Sequence, residues 1–417
     1  MVQSPLLEIL ASARAVIKSS NHSFSLGTMI MHKETEIIAR NWPRRDTTTA
    51  TTINPPAYKG STVLFDCYAD MLKSRRNQYP GISYGTDRLP TQRQFEEAMR
   101  QLEGGAVTRV FPSGIAAIQT ALMAFVGSGQ HLLLVDNAYG PGRRFIHKVL
   151  QQRYQVQCTV VPANVGAEIE NFVQPNTTLI FLESPGSNTF ELQDLPAIAA
   201  VARKLGIVTL LDATWATPLY LKPFSLGIDA TIHSVTKYIS GYSDVLAGTV
   251  TVGEAHAERF SDFYKLLEIY TPAEECYLAL RGLHSLGVRL RQHQSSAMEI
   301  ATWLSSHPLV GQVLHPALPS HPEHHLWQRD FQGASGLFAF TLKEDYSETR
   351  LASFIDTLQL FRLGFSWGGY QSLLTAAKPQ RTLPCRYQDK TVIRLNIGLE
   401  DAEDLRCDLE KGLTMLM

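Results

Sequence analysis

Apolar residues follow two rhythms along this chain. Between residues 107 and 232, short continuous apolar runs alternate with helix-spaced ones. The continuous runs are 107–111, 131–136, 156–161, 178–183, 207–212 and 230–232. Their Val, Ile and Leu content and their polar boundaries read as buried strands. Before the first of them, residues 92–102 place Phe95, Met99 and Leu102 at helical spacing and stop at Gly104-Gly105. A second helix, 115–126, opens at Ser113-Gly114. A third runs through 197–203, with Asp194 able to cap it and Gly206 ending it. Continuous strands separated by helices predict a parallel sheet covered on both faces. Asp136, Glu183, Asp212 and Ser234 fall at the C-terminal strand ends, where such sheets hold their ligands.

The rhythm changes near Arg281. A long helix is expected from Gly282 to about residue 305, then a loop at His315-Pro-Ala-Leu-Pro319. Strands are expected at 336–341, 359–363 and 392–397. A closing helix over 400–416 carries Leu405, Leu409 and Leu413 on one face. These predict a smaller α+β domain. At the other end, residues 1–46 lack core character and the layout of a signal peptide, and Met29 and Met31 offer alternative starts. The Thr- and Pro-rich stretch 47–60 reads as extended. The expected division is an N-terminal extension, 1–46, an arm, 47–90, a large domain, 91–281, and a small domain, 282–417.

Composition narrows the function. The chain has 417 residues, 44% hydrophobic and 18% charged, with net charge −1, which suits a globular enzyme. No basic stripe points to nucleic acid, and no apolar run reaches membrane-spanning length. The five cysteines are scattered with no C-x-x-C, which fits reduced thiols in the cytoplasm. His321-Pro-Glu-His324-His325 reads as a solvated loop, without the acidic partners of a metal site.

The stretch Ala230-Thr-Ile-His-Ser-Val-Thr-Lys237-Tyr carries the chemistry. Two hydroxyls, Ser234 and Thr236, precede a lysine at a strand mouth. Alone, Lys237 reads as a surface lysine. A lysine whose pKa is lowered becomes the amine of Schiff-base chemistry, and Asp212 ends another apolar strand upstream. A lysine and a carboxylate on either side of a pyridine ring are the signature of pyridoxal phosphate. Ser113-Gly114-Ile115 places small residues at a helix N-terminus, which favours an anion. Arg394, set between Ile393 and Leu395, demands a partner: a structural ion pair or a ligand carboxylate.

With these motifs the chain resembles the Cys/Met-metabolism PLP-dependent enzymes, of the aspartate-aminotransferase-like fold type I. The resemblance rests on Asp212-Ala-Thr-Trp-Ala-Thr-Pro218, Ser234-Val-Thr-Lys237-Tyr238 and Gly241-Tyr-Ser-Asp-Val-Leu-Ala-Gly248, and runs from about Thr47 to the C-terminus. It implies a mostly parallel seven-stranded sheet with helices on both faces, plus the smaller α+β domain. It implies pyridoxal 5'-phosphate held by Lys237 as a Schiff base. Asp212 would face the ring nitrogen and Tyr139 would stack on the ring. The Gly114 and Ile115 amides, with Ser113, Ser234 and Thr236, would hold the phosphate. Arg394 and Ser366 would hold the substrate carboxylate, with Trp367 as a wall. Lys237 would move the protons, with Tyr84 and Tyr139 tuning it.

The family commonly has Tyr-x-Arg in the arm, whose Arg reaches the neighbouring subunit's phosphate. Here the stretch is Tyr84-Gly85-Thr86, and Arg88 is the candidate substitute. Ser366-Trp367-Gly-Gly-Tyr370, Glu183-Ser-Pro-Gly186-Ser187 and Ile397-Gly-Leu-Glu-Asp401 are similar to the cystathionine β-lyase branch. That branch implies β-elimination of L-cystathionine in methionine biosynthesis, in a cytoplasmic homotetramer built as a dimer of dimers. A γ-synthase or γ-lyase, a cystine or S-alkyl-cysteine lyase, and a non-catalytic scaffold protein are the alternatives.

Overall fold

The computed structural model describes residues 53–417. The expected extension, 1–46, and the start of the arm lie outside them. Seven strands form the larger sheet: β1 (Val107–Phe111), β2 (His131–Val135), β3 (Gln157–Val161), β4 (Thr177–Glu183), β5 (Val208–Asp212), β6 (Ala230–His233) and β7 (Gly248–Val252). Their order is β1-β7-β6-β5-β4-β2-β3. β2 to β6 run parallel, and β7 alone pairs antiparallel with both neighbours. Every residue of β2, β5, β6 and β7 is buried. Helices cover both faces, as the unbroken apolar runs require.

A second sheet has the order β10-β11-β12-β9-β8. Its strands are β8 (Val310–Leu314), β9 (Leu337–Leu342), β10 (Arg362–Leu363), β11 (Leu373–Ala377) and β12 (Val392–Asn396). The helix Ala402–Leu413 packs Leu405, Leu409 and Leu413 into its core, starting at the side-chain cap of Asp401. The strand expected at 359–363 shrinks to two residues, because Asp408 takes the amides of Gln359, Leu360 and Phe361. A paired ladder cannot form where a side chain already holds the backbone.

The long helix begins at Ala273, nine residues before the sequence suggested, and ends at Ser306. Gly282, expected as the start of this helix, sits inside it. A Cβ there would lie 2.3 Å from the Ile239 carbonyl oxygen and 2.6 Å from that of Ser240. Glycine lets the helix lie directly on the turn that follows β6. A separate apolar cluster fastens the same turn: Phe95, Met99 and Leu102 from one helix and Leu280, Leu283 and Leu290 from the long one, against Val235, Tyr238 and Ile239. Gly282→Ala is therefore expected to cost about 1–3 kcal/mol of stability by overpacking, read as a lower denaturant midpoint with unchanged slope.

Candidate active site

Lys237 stands in the tight turn after β6. Its amide donates to the Ser234 carbonyl at 3.1 Å, and its own carbonyl accepts from Gly241 at 2.8 Å. The side chain leaves this turn toward the small domain. Nζ donates to Ser366 Oγ at 2.8 Å and lies 5.2 Å from the centre of the Trp367 ring. Gly368 allows that approach. Its φ is +82°, and a Cβ would lie 2.8 Å from the Tyr238 nitrogen. Asn396, at the end of β12, fixes the loop by accepting the Gly368 amide at 2.8 Å.

Charge gathers around this amine. Burial, then the Arg394 guanidinium, pushes the Lys237 pKa down to about 8, against the pull of Asp212. Arg394 donates to Phe365 O at 2.9 Å and Asn188 Oδ1 at 3.2 Å. Among the described residues no carboxylate pairs with it, so the structural ion pair that its sequence position allowed is not formed. Asp212 Oδ1 accepts the Thr214 amide at 3.0 Å and the Thr214 hydroxyl at 2.5 Å. Burial raises its pKa. The Tyr139 phenol is also raised, by burial and by Glu183 and Asp212, while Arg144 and Arg394 oppose.

An anion cradle adjoins the cluster. Ser113 caps the helix Gly114–Phe125, its Oγ accepting the Ala116 amide at 3.1 Å. The first amides of a helix have no partner within it, so those of Gly114 and Ile115 stay open. A Cβ on Gly114 would lie 2.6 Å from Ser234 Oγ, and one on Gly248 2.6 Å from the Ser113 carbonyl oxygen. Both glycines keep the helix end pressed against the Lys237 turn. Thr236 Oγ1 serves the loop itself, accepting from the Ala247 amide at 3.1 Å and donating to the Ala247 carbonyl at 3.2 Å.

The structure thus brings Lys237, Asp212, Tyr139, Ser366, Trp367 and Arg394 within interaction range of one another, with the Ser113–Ile115 helix start and the Ser234–Thr236 turn adjoining them. It does not bring in Tyr84 or Arg88 from the same chain. Tyr84 is half exposed, bridged to Thr62, with no bond to the cluster. Arg88, expected as a cation for the neighbouring subunit's phosphate, meets a carboxylate of its own chain. Its Nε is 3.7 Å from Glu96 Oε2, and Arg109 lies 3.6 Å from the same oxygen. Glu96 is buried and also accepts the Val110 amide at 3.1 Å. A buried carboxylate holds its cations inward.

The sequence assigned no site role to Glu183 or Asn188. Glu183 stood out as a strand end and as the start of a family-like motif, and its pairing with Asp212 in register depends on strand order. The histidine loop also differs from its expectation. His321 is buried, its Nδ1 taking the Glu323 amide at 3.3 Å, and His324 Nδ1 lies 3.0 Å from Pro316 O; His325 alone of the three is exposed. These rings serve packing. Beside them a cavity of about 440 Å³ is lined by Asp136, Glu191, Glu323, Arg381 and Tyr387. Its charges are largely consumed internally, Asp136 by Arg143 and two amides, Glu191 by Arg381.

A profile of the Cys/Met metabolism PLP-dependent enzyme family matches residues 34–414. The chain belongs to this family. It is 46% identical over 364 residues to a putative cystathionine beta-lyase of Rhizobium johnstonii, covering 86% of this chain and 91% of that one. It is 39% identical over 373 residues to the cystathionine beta-lyase MetC of Escherichia coli, covering 88% and 94%. Among solved structures, metB from Corynebacterium glutamicum superposes with a TM-score of 0.84 at 30% identity, covering 93% and 99%. The donor set suits the family's cofactor: open amides and a serine for a phosphate, an amine for an aldehyde, a buried carboxylate for a ring nitrogen.

The charges predict how Lys237 titrates in the protein without cofactor. Competitive acetylation should give a midpoint near the value of about 8. Arg394→Ala should raise that midpoint by removing a like charge, and Asp212→Asn should lower it.

Proposed function

We propose that this chain is a carbon–sulfur lyase that β-eliminates L-cystathionine to homocysteine, pyruvate and ammonia, as a cytoplasmic step of methionine biosynthesis. One observation carries the reading. An amine with its pKa lowered to about 8 faces a guanidinium that has no carboxylate of its own among the described residues.

Bound covalently at Lys237, pyridoxal phosphate supplies an electron-withdrawing ring that stabilises negative charge at the substrate Cα. The chain's residues do the rest. Gly114, Ile115, Ser113 and Ser234 would hold the phosphate, and Thr236, whose hydroxyl is bonded to Ala247, would shape the loop beside it. Asp212 would keep a proton on the ring nitrogen, and Tyr139 would support the ring face. Arg394 takes the substrate α-carboxylate, a planar fork matched to a planar anion, with Ser366 beside it. Lys237 Nζ would take the proton from the substrate Cα and return one to the sulfur as the Cβ–S bond breaks. The released 2-aminoacrylate hydrolyses to pyruvate and ammonia. Trp367 walls the site and limits the thioether that enters.

The same reading assigns Tyr84 to the neighbouring subunit's site, in a homotetramer built as a dimer of dimers. Support comes from the arm, where Leu64 is 87% and Tyr68 67% exposed in the single chain. Sedimentation should give four copies, and a fully active monomer would overturn the assembly. Among the described residues no helix is long and apolar enough to cross a membrane.

The purified protein should be yellow and should form pyruvate and homocysteine in step from L-cystathionine. Formation of 2-oxobutyrate and cysteine would move it to the γ-type enzymes, and turnover of cystine or S-alkyl-cysteine alone to the alternative lyases. A colourless protein would be a scaffold. Lys237→Ala should lose ~10²–10⁴-fold in turnover, the usual worth of a general acid–base group.

A further inference from the structure

Glu183 ends β4 directly beside Asp212 of β5 in the parallel register. Residues paired this way point to the same face, on strands ~5 Å apart. Two carboxylates therefore share the site side of the sheet, each residue 8% exposed. Glu183 Oε2 accepts the Tyr139 amide at 2.6 Å, and Oε1 accepts the Ser187 hydroxyl at 2.5 Å. It is thus the side chain that joins Tyr139 to the Asp212 strand.

Among the described residues neither carboxylate has an ion-pair partner. The charges that face them are few. Arg381 acts on Glu183, and His233 and Lys237 act on Asp212. The Tyr139 phenol lies near both. Two like charges, buried together without a counterion, hold a proton between them. Burial and then Asp212 push the Glu183 pKa up to about 8.

We propose that Glu183 is a positioning residue with two tasks. It anchors the main chain of Tyr139, and it shares one proton with Asp212, so that the cofactor's ring nitrogen meets a carboxylate pair bearing a single negative charge. The second task rests on the cofactor reading above. The pair itself exists without cofactor and can be measured there.

The sign of the pH effect follows. Unfolded, Glu183 loses its proton near the ordinary value of 4.5; folded, it keeps it to about 8. Between those values the folded state binds more protons, so the pair makes stability fall as pH rises. Glu183→Gln removes that proton and keeps both hydrogen bonds, since the amide oxygen can accept from Tyr139 and the amide nitrogen can donate to Ser187. Glu183→Ala removes the bonds as well.

The test is thermal unfolding of the cofactor-free protein from pH 5.5 to 8.5, followed by pyridoxal phosphate binding and pH titration of the bound cofactor's visible band. E183Q should flatten the decline in Tm by a few degrees and lower the band's titration midpoint by about one unit. It should bind the cofactor near normally, whereas E183A should bind about tenfold more weakly. A parental slope in E183Q would overturn the shared proton. Equal cofactor affinity in E183Q and E183A would overturn the anchoring of Tyr139. If E183A fails to fold, tenfold weaker binding by E183Q would overturn the anchoring in its place. A colourless parent would overturn the cofactor reading, while the cofactor-free slope would still decide the pair.

Discussion

A lysine amine held half out of water between a guanidinium and a buried carboxylate is the condition the rest of this structure maintains. Desolvation and Arg394 favour the neutral amine, and Asp212 favours the ammonium. The balance depends on where three strand ends stop: β6 before Lys237, β5 at Asp212 and β12 just beyond Arg394. A small displacement of any of them would change charge separations in a medium that screens weakly. The packing therefore has to be stiff.

That stiffness comes largely from one helix. Ala273–Ser306 presents Arg289, 5% exposed, with no acid paired to it among the described residues. Its guanidinium donates to the Tyr238 carbonyl at 2.7 Å, to Gly282 at 2.8 Å and to Ile239 at 3.3 Å, closing over the turn that holds Lys237. One turn later His293 Nδ1 lies 2.7 Å from the Ile397 carbonyl oxygen, just past β12, and its ring packs edge-on against Tyr238. The lysine turn and the arginine strand, from different sheets, are thus indexed to the same helix. Gly241 and Gly282 make room for it. A Cβ at Gly241 would lie 2.0 Å from Arg289 Nη1.

Buried charge is distributed around the site with little redundancy. On the other side of β6, His233 Nε2 is 3.0 Å from Glu103 Oε1, and Thr231 donates to the other oxygen of Glu103 at 2.9 Å. Arg88 and Arg109 compensate Glu96 beneath β1. Arg394 and the Glu183–Asp212 pair, grouped at the strand ends that carry Lys237, have no ion-pair partner among the described residues. These are the positions that a zwitterionic substrate and a cationic ring nitrogen would complete, and unfinished pairing of this kind marks sites of function.

Much of this was legible in the sequence, because its signals are local. Continuous apolar runs determined the parallel sheet, its strand ends named Asp212 and Lys237, and Ser113-Gly114 marked an anion-binding helix start. The lone arginine between Ile393 and Leu395 announced a needed partner. What the sequence could not determine was adjacency. Strand order places Glu183 beside Asp212 and lets β7 run antiparallel between β1 and β6. Gly282, which locally weakens a helix, proved essential to the close packing of one. Arg88 carries the charge expected for a phosphate, and only the fold sets the buried Glu96 within its reach. Local pattern records what each segment needs, whereas burial and long-range proximity are set only when the chain closes and each charge must find the partner nearest in space.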